Sequence, residues 1–532
     1  MNVLKSSKQT FWHGALLLAV AGLLSKILSA VYRVPFQNIV GDVGFYIYQQ
    51  VYPFYGIALA LSLYGFPVVI SKMMLEEKGG QSLDRQSILA ISFCFLMVIG
   101  LVIFIGLYQF SSEVANMMGD RMLQKPIEMV SFSFLLIPVI SVLRGFFQGN
   151  ENMLPTALSQ IAEQFIRVVT IIIVAYLLVL HEFTLYEVGA GAVFGSLTGG
   201  FAAIAILLIF QMRNIERLSI KQYKPIFTLH NIKRFPYKNL ILNSLAICLT
   251  GLTLVLLQMV DSFTLYNQLL YYGLSSEEAK VSKGVFDRGQ PLLQLGVVLA
   301  TSLSLSLVPA IAKAKQNGEH THLLKHARIA LKISLVVGTG ATIGLIAIMK
   351  YTNHMLFTNI NGSQTLSILV ISILFTSVSL TALAILQGLG LIKQSAWFIL
   401  MGVGVKWILN ALLVPLYGSM GAAIATVLSV FVIAICSLIL LYRVFKRGKM
   451  LQPILLGKIV IAGALMFIFV KLYEWLFFTM FAMEVSRITS TYFAISAALM
   501  GGVAFIVLIL ALRTFNKDEI SDWSILKKRI KS

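Results

Sequence analysis

Acidic side chains are scarce in this 532-residue chain. Asp and Glu number 22 against 42 Lys and Arg, and together these make only 12% of residues. A soluble globular protein carries about twice that charged fraction, so a water-soluble fold is excluded. With 58% hydrophobic residues, the chain reads as an all-α polytopic membrane protein. Cysteine is almost absent: Cys94, Cys248 and Cys436 lie far apart, each inside an apolar run. That excludes a disulfide framework or a CxxC metal site and leaves core packing as their expected role. No GxxxxGK[ST] loop is present for a nucleotide and no HExxH for a zinc hydrolase. No extramembrane loop combines sufficient size with paired carboxylates, so a membrane glycosyltransferase or polymerase is disfavoured. His320, His322 and His326 crowd one loop and read as solvated rather than metal-binding. Neither a metal nor a cofactor is expected, and the membrane potential or an ion gradient is left as the energy source.

What the chain has in abundance is long apolar runs. Those of about 18 to 25 residues give roughly fourteen candidate spans. They lie near 11 to 34, 45 to 71, 86 to 110, 127 to 148, 155 to 180, 186 to 211, 239 to 266, 289 to 312, 326 to 349, 364 to 388, 394 to 416, 419 to 442, 454 to 477 and 490 to 513. Lys26 interrupts the first run, which therefore reads as an uncleaved helix rather than a secretory signal. The net charge of +20 does not mark a nucleic-acid surface, because the basic residues fall in short loops between spans. The rich segments are the N-terminus, Lys72 to Arg85, Arg213 to Lys238, Lys313 to Arg328, Arg443 to Lys449, and the tail with Lys527, Lys528, Arg529 and Lys531. All fall on one side, which the positive-inside rule makes cytoplasmic, with anionic headgroups as their partners.

Landmarks of the first half recur in the second. Pro67 to Lys72 (PVVISK) is echoed by Pro309 to Lys313 (PAIAK), and Phe147-Gln148-Gly149 by Leu386-Gln387-Gly388. The spacing from Gln148 to Arg167 equals that from Gln387 to Lys406, and Gly189 to Ala192 resembles Gly421 to Ala425, a small-residue pattern that lets helices approach closely. The shared order implies an internal duplication of six spans plus six, facing each other across a central space. The expected organisation is a first lobe at 1–212, a basic cytoplasmic linker at 213–238, a second lobe at 239–442, two further spans within 443–513, and a basic tail at 514–532.

Charged and amide side chains concentrate from Arg144 to Arg167 (RGFFQGNENMLPTALSQIAEQFIR). An apolar run ends in Gln148-Gly149, a polar cluster breaks it, and Pro155 opens a second helix, which predicts a membrane hairpin with a polar inner face. Glu163 and Arg167 are spaced to pair across one helical turn. Lys26 and Arg33, seven apart, share a face of the first span, and such a cation pair is costly unless it meets water or an anion. Asp261, beside Gln258 in the seventh span, and Asp287-Arg288 at the mouth of the eighth complete the candidates. Lys26, Arg33, Asp261, Asp287, Arg288, Glu163, Arg167 and Lys406 are taken as cavity residues. Arg144, Gln148, Pro155 and Gln387 are taken as parts of two equivalent cytoplasmic elbows.

Four segments carry a resemblance: Gly22 to Arg33 (GLLSKILSAVYR), Gly65 to Lys72 (GFPVVISK), the hairpin just described, and Phe286 to Leu293 (FDRGQPLL) with Leu299 to Leu303 (LATSL). In these the chain resembles the polysaccharide-transporter branch of the multidrug/oligosaccharidyl-lipid/polysaccharide exporters, near the stage V sporulation protein B group and the lipid II flippases. The resemblance implies two six-helix lobes in a V, with two C-terminal helices flanking a groove for a lipid tail. It also implies that Lys26, Arg33 and Arg288 line the cavity. Lys26 stands where the family usually has arginine, and the second span offers only Ile57 to Leu63 where lipid II flippases carry one. The implied activity is flipping of a polyprenyl-pyrophosphate-linked saccharide for peptidoglycan or another polymer, with cell-envelope synthesis enzymes as candidate partners. The alternative is a cation-coupled multidrug antiporter using Glu163 or Asp261.

Overall fold

A computed structural model of the chain describes residues 2–76, 83–215, 228–305, 311, 314–315, 317–445, 453–480 and 484–515. It resolves into two compact units, Met1–Asp287 and Arg288–Ser532. Among the described residues all regular structure is helical, and twelve helices are long and apolar enough to cross a membrane. The first of these, Leu17–Leu75, covers the two spans expected near 11 to 34 and 45 to 71. The second copy of the Pro-Lys motif, at 309–313, lies outside the described residues except for Ile311, as does most of the tail.

In the first unit, α1 (Asn2–Val31), α2 (Arg33–Ala60) and α3 (Phe66–Glu76) follow one another through Tyr32 and a π-helical turn, Leu61–Gly65. A straight helix over all 59 residues of Leu17–Leu75 would be about 88 Å long, roughly three times the hydrocarbon thickness. The chain bends within α2 at Gly41, at φ 68° and ψ −173°, where any side chain would be strained. The stretch near 34 to 45, read from sequence as a link between spans, is therefore helical with a single bend. The π turn has a second consequence. Phe66 N–H bonds Leu61 O and Pro67 has no N–H, so the Ser62 carbonyl is left over. Arg144 Nη1 donates to it at 3.4 Å.

The unit continues with α4 (Arg85–Gln109), α5 (Ser111–Met117), α6 (Gln124–Ser131), α7 (Ser133–Gly149), α8 (Leu154–Leu180) and α9 (Leu185–Ile215). The predicted hairpin forms: α7 stops at Gly149, Glu151 turns the chain with φ 60°, and Pro155 sits in the first turn of α8. Thr156, Gln160, Glu163 and Arg167 make a buried polar face of α8, while Leu158, Phe165 and Ile166 are exposed on other faces. On α9, Gly199 lies so close to α8 that a Cβ there would stand 2.5 Å from the Glu163 carbonyl oxygen.

After α10 (Leu229–Arg234) come α11 (Tyr237–Tyr271) and α12 (Ser276–Asp287). Helix α11, expected to open the second lobe, runs along α2: Gln50 Nε2 donates to Ser262 O at 3.2 Å, and Cys248 Sγ approaches Ala60 O at 3.2 Å. The break between units thus falls at Asp287/Arg288, and the expected linker lies within the range of the first unit. Of the three cysteines only Cys248 is buried. Cys94 is exposed on α4, where core packing had been expected. Ser275 caps α12, and bonds from its hydroxyl and its N–H hold the Glu278 carboxyl below its ordinary range.

The second unit holds α13 (Gly289–Leu305), α14 (His320–Phe357), α15 (Ser363–Leu369), α16 (Ser372–Gly388), α17 (Ile392–Tyr417), α18 (Ser419–Val444), α19 (Pro453–Met480) and α20 (Arg487–Ala511). The span expected at 289 to 312 is described as helix as far as Leu305. The elbow between α16 and α17 again follows the Gln-Gly pair, here Gln387-Gly388. Helices α19 and α20 pack on α14 through an aromatic cluster in which the Tyr351 ring lies 4.5 Å from Phe493 and 5.1 Å from Phe478. Glu474 accepts from Tyr351 Oη at 2.7 Å and from Lys471 Nζ at 2.6 Å.

Candidate functional site

Helix α1 has two opposite faces. Leu17, Val20, Leu24, Ile27 and Val31 are exposed and apolar. Gly22, Lys26 and Ser29 lie on the other side at i, i+4 and i+7, and Arg33, the first residue of α2, continues that line past Tyr32. Gly22 faces Gln160 and Tyr64, and Ser29 Oγ receives Arg167 Nη2 at 3.4 Å. Lys26 lies between these contacts and is nonetheless exposed. Lys26 is thus placed on the polar side of its helix, between the contacts to α2 and α8, and not on its apolar side.

Arg33 and Arg167 are buried beside it in a tyrosine cage. Tyr48, Tyr52 and Tyr55 stand at i, i+4 and i+7 on α2. The Arg33 Cζ is 4.4 Å from the centroid of Tyr52, and the Arg167 Cζ is 4.6 Å from Tyr55, 5.2 Å from Tyr32 and 6.0 Å from Tyr52. Each desolvated cation–π contact contributes about 2 kcal/mol, which offsets part of the cost of holding guanidinium groups away from water. Their hydrogen bonds are not filled among the described residues, where Arg33 Nε, Arg167 Nε and Arg167 Nη1 find no acceptor. The Glu163–Arg167 pair expected from spacing does not form. Glu163 Oε2 instead takes Arg144 Nη2 at 2.8 Å, because α7 brings Arg144 against α8, where its Nε also donates to Ser159 Oγ at 3.1 Å. Among the described residues Glu163 is the carboxylate bonded to this cluster, through Arg144, and Asp287 lies close enough to Arg33 for their charges to attract, so basic groups outnumber acidic ones at the site. Buried donors with unfilled hydrogen bonds beside an excess of positive charge form a site for an anion with several oxygens.

The remaining candidates have other direct partners. Asp287 does not pair with Arg288: its Oδ2 takes Lys283 Nζ at 2.7 Å, both side chains are buried, and Oδ1 has no partner. Asp261 is buried on α11 in the same unit. Arg288 belongs to the second unit, where it is buried and its Nη1 donates to Asn359 Oδ1 at 2.8 Å and Asn353 Oδ1 at 3.3 Å. Lys406 is buried on α17, on the same face as Asn410, and Gln387 ends α16 as Gln148 ends α7.

Several residues escaped the sequence reading. The tyrosine cage was visible only as a heptad-like Tyr spacing, and Lys283 only as an i, i+4 partner of Asp287. Asp120 was missed altogether. It accepts from Tyr186 Oη at 2.6 Å and Tyr46 Oη at 3.1 Å, joining the start of α9 to α2. Nothing in a lone Asp of a short loop signals that.

A family model described as polysaccharide biosynthesis protein matches residues 11–315. The chain is 43% identical over 514 residues to the uncharacterized membrane protein YabM of Bacillus subtilis, covering 96% of this chain and 94% of that one. It is 26% identical over 527 residues to the lipid II flippase MurJ of the same organism, with 93% and 94% covered. Among solved structures, a lipid II flippase MurJ in an inward closed conformation shares the fold with a TM-score of 0.67 at 16% identity, covering 94% of this chain and 99% of that one.

Proposed function

This chain belongs to the polysaccharide biosynthesis protein family, and from that premise we propose that it flips a polyprenyl-pyrophosphate-linked saccharide across the cytoplasmic membrane by alternating access. It is a multi-pass membrane transporter, not an enzyme. The observation that carries the substrate class is the cluster of Lys26, Arg33 and Arg167, with guanidinium donors left unfilled among the described residues. A diphosphate supplies both the charge and the acceptor oxygens that cluster lacks. The likeness to a lipid II flippase supports the same class. With both termini cytoplasmic, as the basic segments suggest, an inside-negative potential drives the anion outward. Two charges crossing the full field gain roughly 4 to 5 kcal/mol per 100 mV, so no nucleotide site is required.

The test is reconstitution into vesicles with a labelled polyprenyl-pyrophosphate sugar and no nucleotide. Lys26→Ala and Arg33→Ala are expected to slow flipping by about tenfold or more, a loss of roughly 1.4 kcal/mol of transition-state binding each, with thermal stability close to wild type for Lys26→Ala. Arg288→Ala is expected to lower stability as well, because it strips Asn353 and Asn359 of their donor. Normal transport by all three variants would remove the anion-site assignment. Export of cationic dyes instead of the lipid would favour the antiporter alternative, which the excess of basic over acidic groups at the site argues against.

A further inference from the structure

Arg167 is the most deeply committed cation of the cluster and the least satisfied. It is fully buried, Nε and Nη1 find no acceptor among the described residues, and Nη2 makes a long bond to Ser29 Oγ at 3.4 Å. Its nearest carboxylate along the helix, Glu163, lies one turn away on the same face of α8 and is held by Arg144. We propose that Arg167 is the inner ligand of the transported diphosphate, and that Glu163 is the carboxylate that displaces it, withheld by Arg144 while the anion is bound. The inference rests on the flippase reading and adds a release step to it.

Three observations support the exchange. The move needs only a side-chain rotation, since residues four apart on a helix are in reach of each other. Arg144 is not orphaned when Glu163 leaves, because it also donates to Ser159 Oγ and to the spare Ser62 carbonyl of the π turn. The ion pair is also not a requirement of the elbow. The offset that carries Gln148 onto Gln387 and Arg167 onto Lys406 carries Arg144 onto Leu383 and Glu163 onto Gly402. The second elbow keeps the buried cation and folds without the pair. The arrangement observed, with Glu163 on Arg144 and Arg167 open, is the one that receives the diphosphate. Rotation of Glu163 onto Arg167 then displaces the anion and neutralises the buried charge, and return of Glu163 to Arg144 reopens the site.

The probe is farnesyl diphosphate, titrated by calorimetry onto the full-length protein in lipid nanodiscs. Arg167→Gln is expected to weaken binding by about tenfold or more, and Glu163→Gln to tighten it by about tenfold, in the usual range of coupling between a ligand and a competing group. A gain of affinity is not an effect that misfolding produces. Arg144→Gln is expected to weaken binding by about tenfold in the wild-type background and by less than about twofold when Glu163→Gln is also present, the signature of coupled residues. Equal effects of Arg144→Gln in both backgrounds, or wild-type binding by Arg167→Gln, would overturn the exchange and leave the flippase reading standing. Failure of the wild-type protein to bind the probe would overturn both.

Discussion

Lys283→Met is expected to destabilise the first unit by about 3 to 5 kcal/mol, the usual cost of removing one partner from a buried ion pair. The Lys283 ammonium and the Asp287 carboxylate are 2.7 Å apart with neither side chain exposed, and the second oxygen of Asp287 already lacks a partner. The methionine fills much of the volume but leaves a carboxylate in a low-dielectric site without its hydrogen-bonded cation. Lys283→Met with Asp287→Leu removes both charges and is expected to recover most of the loss, since a buried pair replaced by apolar side chains is often neutral or stabilising. The buried thiol of Cys248 provides the measurement. With the exposed Cys94 and the half-buried Cys436 changed to serine, labelling of Cys248 by a thiol-reactive dye during heating reports unfolding. A double variant as unstable as the single would show that the pair is not the source of the effect.

Gly284→Val is expected to be comparably damaging for a different reason. A Cβ at this position of α12 would stand 2.1 Å from the carbonyl oxygen of Asp42, next to the bend of α2. The obstacle is backbone, which cannot rotate away as a side chain does, so α12 must lift off α2. Overpacking of this kind costs about 1 to 3 kcal/mol and occasionally more. Gly421→Val in the second unit meets the same obstacle, with a Cβ 2.3 Å from Leu413 O where α18 turns back on α17. Gly404 and Gly457 have open space around them, and changing either to alanine is expected to be neutral or stabilising by up to about 1 kcal/mol, since alanine is the better helix former. The same thermal labelling assay separates the two classes. Melting of Gly284→Val at the wild-type temperature would show that α12 is not held by this contact.

Much of the architecture was legible in composition and periodicity. Few charges and recurrent apolar runs mark a membrane protein, because a lipid-facing surface tolerates little else. The α7–α8 hairpin was readable residue by residue, from the Gln-Gly stop to Pro155, since helix ends depend on local backbone chemistry. The small-residue stretch around Gly421 likewise packs as closely as its composition suggests.

Partner choice was not legible in the same way. Helical spacing put Glu163 within reach of Arg167, and it put Lys283 within reach of Asp287, yet only the second pair forms. Spacing lists the partners a side chain can reach along its own helix. It is silent on what another helix brings, and here a π turn and Pro67 free the carbonyl that helps seat Arg144 beside Glu163. Local sequence by itself determined the class, most of the spans and the elbows, because these follow from hydrophobicity and backbone rules a few residues wide. Tertiary structure alone decided that α11 packs in the first unit, that Arg288 is bound to asparagines, and that Arg33 and Arg167 share a tyrosine cage with donors to spare. Each of these depends on residues distant in sequence meeting in space, and on which of several electrostatically equivalent partners the packing of helices leaves closest.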